Sequence, residues 1–172
     1  MPAKANALKI SRHFTESGKD PFDKLSWSKR DVEIRNFDGT IAFSMKGVTL
    51  PDNYSQVAAN VLAQKYLRKA GIPKKLRNVK EKAVPSWLQK SVPDLKSMEN
   101  LPENEKFGEE IDGKQTFRRL AGTWTYWGWK HGYFASEDDA RSYFDEMSYM
   151  LASQMVSPNS PQWFNTGLNW AY

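Results

Sequence analysis

The sequence predicts a mainly α fold with one β-hairpin, an α+β class. Three observations predict it. Three stretches repeat apolar residues at helical spacing. One pair of short alternating runs flanks Asp38-Gly39, a dipeptide that readily supplies the positive φ angles of a hairpin turn. Between these signals the chain is punctuated by prolines rather than by further periodic segments.

Residues 1–30 carry scattered charges, Gly18 and Pro21 with little periodicity, and are expected to form a flexible N-terminal arm. In "VEIRNFDGTIAFSM", Val32 and Ile34 alternate with Glu33 and Arg35, and Ile41, Phe43 and Met45 alternate with Ala42 and Ser44. This places a hairpin over about residues 32–45, with one apolar face that needs a cover. A helix is expected over about 54–70. Asp52 or Asn53 serves as its cap, Tyr54, Val57, Ala58, Val61, Leu62 and Tyr66 form its stripe, and Gly71 and Pro73 stop it. Residues 74–112 read as a long connection broken by Pro85, Pro93 and Pro102, with a short turn in "PSWLQKSV". A loop of that length is unusual in a compact domain, so it is expected to wrap over another surface, one that need not belong to this chain.

A second helix is expected over about 114–131, where Phe117, Leu120, Ala121 and Trp124 share a face. A third is expected over about 137–155. Ser136 caps it, Glu137, Asp138 and Asp139 occupy its first turn, and Pro158 prevents its continuation. "PQWFNTGLNW" reads as the start of a strand. The domain division that follows is an arm (1–30), a helical domain (31–156) and the beginning of a further unit (157–172).

With 172 residues, 40% of them hydrophobic, and 7 Trp, 7 Tyr and 9 Phe, the chain is globular in composition. It has no apolar run like that of a signal peptide or a membrane span, which makes cytoplasmic localisation the default expectation. It contains 0 Cys. Disulfides, thiolate metal sites and thiyl chemistry from this chain itself are therefore excluded. His13 and His131 supply no paired-histidine metal motif. The net charge of +5 suits nucleotide or nucleic-acid partners but does not select them.

Three groups of residues invite a functional reading. Lys65, Arg68, Lys69, Lys74, Lys75, Arg77, Lys80 and Lys82 form a basic run with Glu81 inside it. The run is either a phosphate-contacting surface or a solvated helix end and loop, and the first option would make the chain a stand-alone nucleotide- or nucleic-acid-binding module. Trp124, Tyr126, Trp127, Trp129, Tyr133 and Phe134 either stack on bases or pack a core or interface. Asp138 with Asp139, and Glu109 with Glu110, have the look of acid–base pairs. Helix capping accounts for the first pair and a solvated loop for the second.

"VAANVLAQKYLRKAGIP", "RLAGTWTYWGWKHGYF" and "SPNSPQWFNTGLNWAY" together resemble the N-terminal region of vitamin B12-dependent (class II) ribonucleotide reductases. "RHFTESGKDPF" and "EIRNFDGTIAF" fit the same region, so the likeness runs in order over roughly residues 10–172. The resemblance implies an oxidoreductase that converts ribonucleotides to deoxyribonucleotides. In that family adenosylcobalamin generates a thiyl radical on a cysteine inside a ten-stranded α/β barrel, and a cysteine pair supplies the electrons. It further implies that "SPNSPQWFNTG" leads into the first barrel strand and that Ser160 matches a position that contacts the substrate phosphate. A Ser-Pro turn that merely starts a strand is the other account of Ser160. The cysteines and the cobalamin surface would lie in a remainder of the enzyme joined in cis or in trans, and without it this chain is expected to be inactive. A truncated gene, one half of a split reductase and a flank left by protein splicing are three expected origins of such a segment.

Overall fold

The computed structural model describes residues 7–172. Its first two elements are β1 (Trp27–Arg35) and β2 (Ile41–Pro51), an antiparallel hairpin longer at its base than the alternation suggested. Asn36 N–H donates to the Thr40 carbonyl at 2.9 Å, and Gly39 takes φ +84° in the turn. The register shifts between Arg30 and Val32. Asp31 there turns its carboxylate to accept from Gly47 N–H at 2.8 Å. Val32, Met45, Val48 and Leu50 are buried at the base of the hairpin, whereas Phe37 and Ile41 at its tip are exposed.

The next segment is helical but ends early. Helix α1 (Gln56–Val61) is capped by Ser55, whose Oγ accepts from Ala58 N–H at 3.1 Å, rather than by Asp52 or Asn53. It widens into a π turn over Leu62–Tyr66 and stops there, not at residue 70. Leu67 N–H reaches back to the Leu62 carbonyl at 3.0 Å. The carbonyls freed at this wide turn find side-chain donors, because Lys69 Nζ binds Ala63 O and Arg119 Nη2 binds Tyr66 O at 3.0 Å. A π turn of this kind is commonly a functional feature.

The stretch expected as a long connection carries structure and covers this chain's own surface. Directly after β3 (Ile72–Pro73) it contains β4 (Leu76–Asn78), β5 (Ser91–Pro93), α2 (Glu103–Lys106) and β6 (Phe107–Gly108), with 3-10 turns at Ser86–Leu88 and Lys96–Met98. β3 pairs with β6 and β4 with β5, both antiparallel. Leu88 and Met98 are fully buried.

Two long helices organise the rest. Helix α3 (Gly113–Lys130) starts with a capping box: Asp112 Oδ1 accepts from Lys114 N–H at 2.8 Å, and Gln115 Oε1 accepts from Asp112 N–H at 3.1 Å. Helix α4 (Glu137–Ala152) starts at Ser136, whose Oγ accepts from Asp139 N–H at 3.1 Å. The main core gathers Phe22, Val48, Leu50, Leu62, Phe117, Leu120, Leu151 and Trp163. On the other side of α3, Tyr126 packs with Val84 and Leu88 in a second, smaller core.

Two sequence expectations are corrected. Residues 157–172 do not begin a strand; they form α5 (Ser160–Asn165) and α6 (Leu168–Ala171). Asn159 caps α5 and Pro161 sits in its first turn, a pattern that starts helices. The described part of the N-terminal segment is not a loose arm either. Leu8 N–H donates to Tyr133 O at 2.6 Å and Ile10 N–H to Asp139 Oδ1 at 2.7 Å. Glu146 accepts from Phe14 N–H, from Thr15 N–H at 2.8 Å and from Thr15 Oγ at 2.6 Å. Residues 1–6 of the expected arm lie outside the described residues.

Burial pushes the Glu146 carboxyl up, but the donors from Thr15 and Phe14 together outweigh it and hold it below its ordinary value. A depressed carboxyl stabilises the docked segment above the unfolded pKa, and that contribution is lost as pH falls through the folded one. Glu146→Gln is therefore expected to raise amide exchange at Phe14 and Thr15 by roughly tenfold or more at neutral pH, since hydrogen bonds to charged groups contribute about 1.5–3 kcal/mol. In the unsubstituted chain the same amides lose protection on acidification below Glu146's ordinary range. Exchange rates that ignore both the substitution and the acid would contradict this docking.

Candidate functional site

Helix α3 carries an arginine in its buried face. Arg119 and Glu110 both have fully enclosed side chains and meet at 2.8 Å, Nε to Oε1. A buried ion pair persists only when the remaining protons and lone pairs are also used. Here they are. Glu110 Oε1 also accepts from Tyr172 Oη at 2.7 Å, and Oε2 accepts from Thr116 Oγ and Arg68 N–H, each at 2.8 Å. Arg119 Nη1 donates to Thr166 O at 2.8 Å, and Nη2 donates to Trp163 O at 2.9 Å and to Tyr66 O. Burial first, and then the Glu110 charge, raise the Tyr172 phenol well above its ordinary range, so it stays a donor. The expectation that Glu110 belongs to a solvated loop is thus corrected; Glu109 beside it is exposed.

This pair seats α5 and α6 on α3. Gly167 takes φ +89° where a Cβ would lie 2.2 Å from the Arg119 carbonyl oxygen. A Cβ on Gly122 would lie 2.1 Å from the Trp170 ring. The two glycines let the terminal segment approach closely. Trp170 Nε1 then reaches Leu88 O at 3.1 Å, closing the smaller core.

Ser160 opens α5, half-buried. Its N–H is taken by Asn159 Oδ1 at 2.8 Å, and its Oγ lies 3.1 Å from Tyr66 Oη. Tyr66 stacks on Trp163 with ring centroids 5.2 Å apart, and Trp163 Nε1 donates to Pro158 O at 3.0 Å. Tyr66 and Trp163, with Tyr54, Gln154 and Ser157, line a cleft of about 300 Å³. The Ser160 hydroxyl therefore touches this cleft through Tyr66, which lines it. Tyr66 belongs to an apolar helical stripe and Arg119 opens "RLAGTWTYWGWKHGYF"; nothing local marks either as a partner of residue 160.

The other candidate groups divide. Lys65, Arg68 and Lys69 line a cleft of about 320 Å³ with Tyr66 and Phe164. Burial lowers the Lys69 ammonium against the opposing pull of Glu109 and Glu110. Lys74, Lys75, Arg77, Lys80 and Lys82 lie exposed on the β3–β4 segment and its following loop, so the basic run is split between a helix end and an exposed strand. The aromatic cluster also splits. Tyr126 is buried, its hydroxyl donating to Glu81 Oε2 at 2.7 Å, and burial and that carboxylate push its pKa up to about 12. Trp124, Trp127, Tyr133 and Phe134 line a groove of about 580 Å³. Asp139 serves in the α4 cap and holds Ile10. Among the described residues no three His, Cys, Asp or Glu side chains cluster to hold a metal ion. No helix among them is long and apolar enough to cross a membrane.

Fold and site define an α+β region that buries an Arg119–Glu110 charge network and contains no cysteine. Residues 28–154 match the family of class II vitamin B12-dependent ribonucleotide reductases. The chain is 52% identical over 165 residues to the vitamin B12-dependent ribonucleotide reductase of Bradyrhizobium diazoefficiens, covering 96% of this chain and 13% of that protein. It is 53% identical over 165 residues to the protein of the same name from Agrobacterium fabrum, with the same coverage. For that of Streptomyces avermitilis the figures are 32% over 166 residues, 95% and 14%. The chain belongs to this family and corresponds to its N-terminal region, spanning about 13% of the length of the first two relatives.

Removing the arginine leaves Glu110 buried and unpaired, which costs about 3–5 kcal/mol. Arg119→Ala is expected to lower the unfolding free energy by that amount in denaturant melts. A loss below about 1 kcal/mol would contradict the burial of the pair.

Proposed function

We propose that this chain is the N-terminal segment of a vitamin B12-dependent ribonucleotide reductase, supplying helical support and one edge of the substrate site through Ser160. The observation that carries the reading is the seat of Ser160. Its hydroxyl sits at the start of α5, in contact with the cleft-lining Tyr66, on a helix pinned by Arg119 through the Trp163 and Thr166 carbonyls. A hydroxyl so placed suits a phosphate oxygen, an acceptor whose charge strengthens the bond. Membership in the family supports the same assignment, as does the stretch "SPNSPQWFNTG" around Ser160.

In this reading the chain performs no bond-breaking step. It has 0 Cys, so a thiyl radical and a reducing cysteine pair must come from the remainder of the enzyme. Among the described residues, the clefts of about 300, 320 and 580 Å³ are lined by no histidine, and each is small for a corrin macrocycle. Adenosylcobalamin is assigned to the remainder, which is this chain's partner in cis or in trans. The substrate is a ribonucleoside di- or triphosphate held by the assembled enzyme. What this chain contributes is orientation and the exclusion of alternative poses for the phosphate, an effect on binding rather than on the chemical step.

The reading is tested by grafting this chain in place of the matching segment of the Agrobacterium fabrum reductase. Adenosylcobalamin-dependent ribonucleotide reduction is expected from the graft and none from the isolated chain. Within the graft, Ser160→Ala is expected to raise KM about tenfold or more, the value of a hydrogen bond to a charged group. A folded graft with no activity, or an unchanged KM for Ser160→Ala, would remove this assignment.

A further inference from the structure

Ser160 has a partner that the family resemblance did not single out. Tyr66 lies 94 positions earlier, yet its hydroxyl sits 3.1 Å from Ser160 Oγ. Three features fix it there. The π turn of Leu62–Tyr66 rotates residue 66 away from where a regular α-helix would leave it. Arg119 Nη2 holds the Tyr66 carbonyl at 3.0 Å. The ring lies against Trp163 at an interplanar angle of 20°. Main chain, ring and hydroxyl are each engaged, so the phenol is held in one pose.

The two hydroxyls have one proton each and spare lone pairs. Against water, either can donate to the other. Against an anion only one order works: Ser160 must spend its own proton on the anion, so its oxygen must accept from Tyr66. We propose that Tyr66 is a positioning residue for substrate, donating its hydroxyl proton to Ser160 Oγ so that the serine proton points outward to a nucleotide phosphate. The relay Tyr66 to Ser160 to phosphate polarises along its length, and a chain of hydrogen bonds so aligned is stronger than its isolated links. Without the phenol the serine hydroxyl becomes a free rotor, and part of its order must be imposed on binding. The proposal rests on the assignment of Ser160 to the substrate phosphate.

Tyr66→Phe isolates the effect. The phenyl ring retains the stack on Trp163, and the Arg119 bond goes to main chain, so the fold is expected to survive. The experiment measures equilibrium binding of ADP and of ATP, and the KM and kcat of reduction, in the Agrobacterium fabrum reductase carrying this chain as its N-terminal segment. Tyr66→Phe is expected to weaken nucleotide binding about threefold to tenfold, in keeping with one neutral hydrogen bond, with the loss in Kd and KM rather than in kcat. In a Ser160→Ala background the same substitution is expected to add nothing, because the group that Tyr66 orients is gone. In a Ser160→Thr background, which restores a hydroxyl, the sensitivity to Tyr66→Phe is expected to return. Equal losses with and without the Ser160 hydroxyl, or no loss at all, would overturn the relay. If Ser160→Ala weakens binding and Tyr66→Phe does not, only the relay fails; if Ser160→Ala itself has no effect, the substrate assignment fails with it. Thermal unfolding of each variant, unchanged to within a few degrees, identifies the losses as local, and a Tyr66→Phe variant that unfolds instead assigns the phenol to structure and overturns the proposal.

Discussion

The buried pair of Arg119 and Glu110 is the constraint on which the rest of the fold depends. Two opposite charges removed from water gain little net stability, because desolvation offsets their attraction. Their effect is selective. Arg119 has five protons in a fixed planar fork, and those protons require acceptors in fixed places. The fork meets the main chain at Tyr66, Trp163 and Thr166, and Glu110 meets Arg68, Thr116 and Tyr172. Any other docking of the terminal segment would leave a donor or a carboxylate oxygen buried and unpaired, at the cost of a desolvated polar group.

Three separate parts of the chain are brought to one place by that requirement. The π turn after α1 arrives because its last carbonyl has no helical partner and finds a guanidinium. Helix α5 arrives because two of its carbonyls do the same, and Gly167 lets its end lie against α3. The loop before α3 arrives through Glu110 itself. Their meeting point is where Tyr66, Trp163 and Ser160 touch. Structure and proposed function thus share a cause: the charge network seats the helix that carries the Ser160 hydroxyl.

Local signals in the sequence carried a definite part of this. The Asp38-Gly39 turn, the Ser136 cap with three acids behind it, and the apolar stripes of α3 and α4 are all contained within a few residues, and each was legible. Helix ends were legible to within a few positions, except where the π turn ended α1 early for reasons of tertiary hydrogen bonding. The strands β4, β5 and β6, two or three residues each, have no periodicity to read, so their stretch passed for a connection. "PQWFNTGLNW" reads as a strand start only if the cap at Asn159 with Pro161 after it, a local helix signal, is passed over. Where the resulting helices sit is set by Arg119 and Gly122, which lie far away in sequence. Glu110 illustrates the same limit: an acid in a polar loop looks solvated unless its arginine is known. Ser160 emerged from family resemblance, whereas Tyr66 could be found only from coordinates.

The most direct measurement of this account is hydrogen exchange at the Arg119 Nε proton, followed by nitrogen-15 NMR in the isolated chain. The account predicts a resolved resonance that exchanges as slowly as the amides buried in the middle of α3, because that proton is enclosed and bonded to Glu110. An Arg119 Nε proton that exchanges as fast as those of solvent-exposed arginines would contradict it.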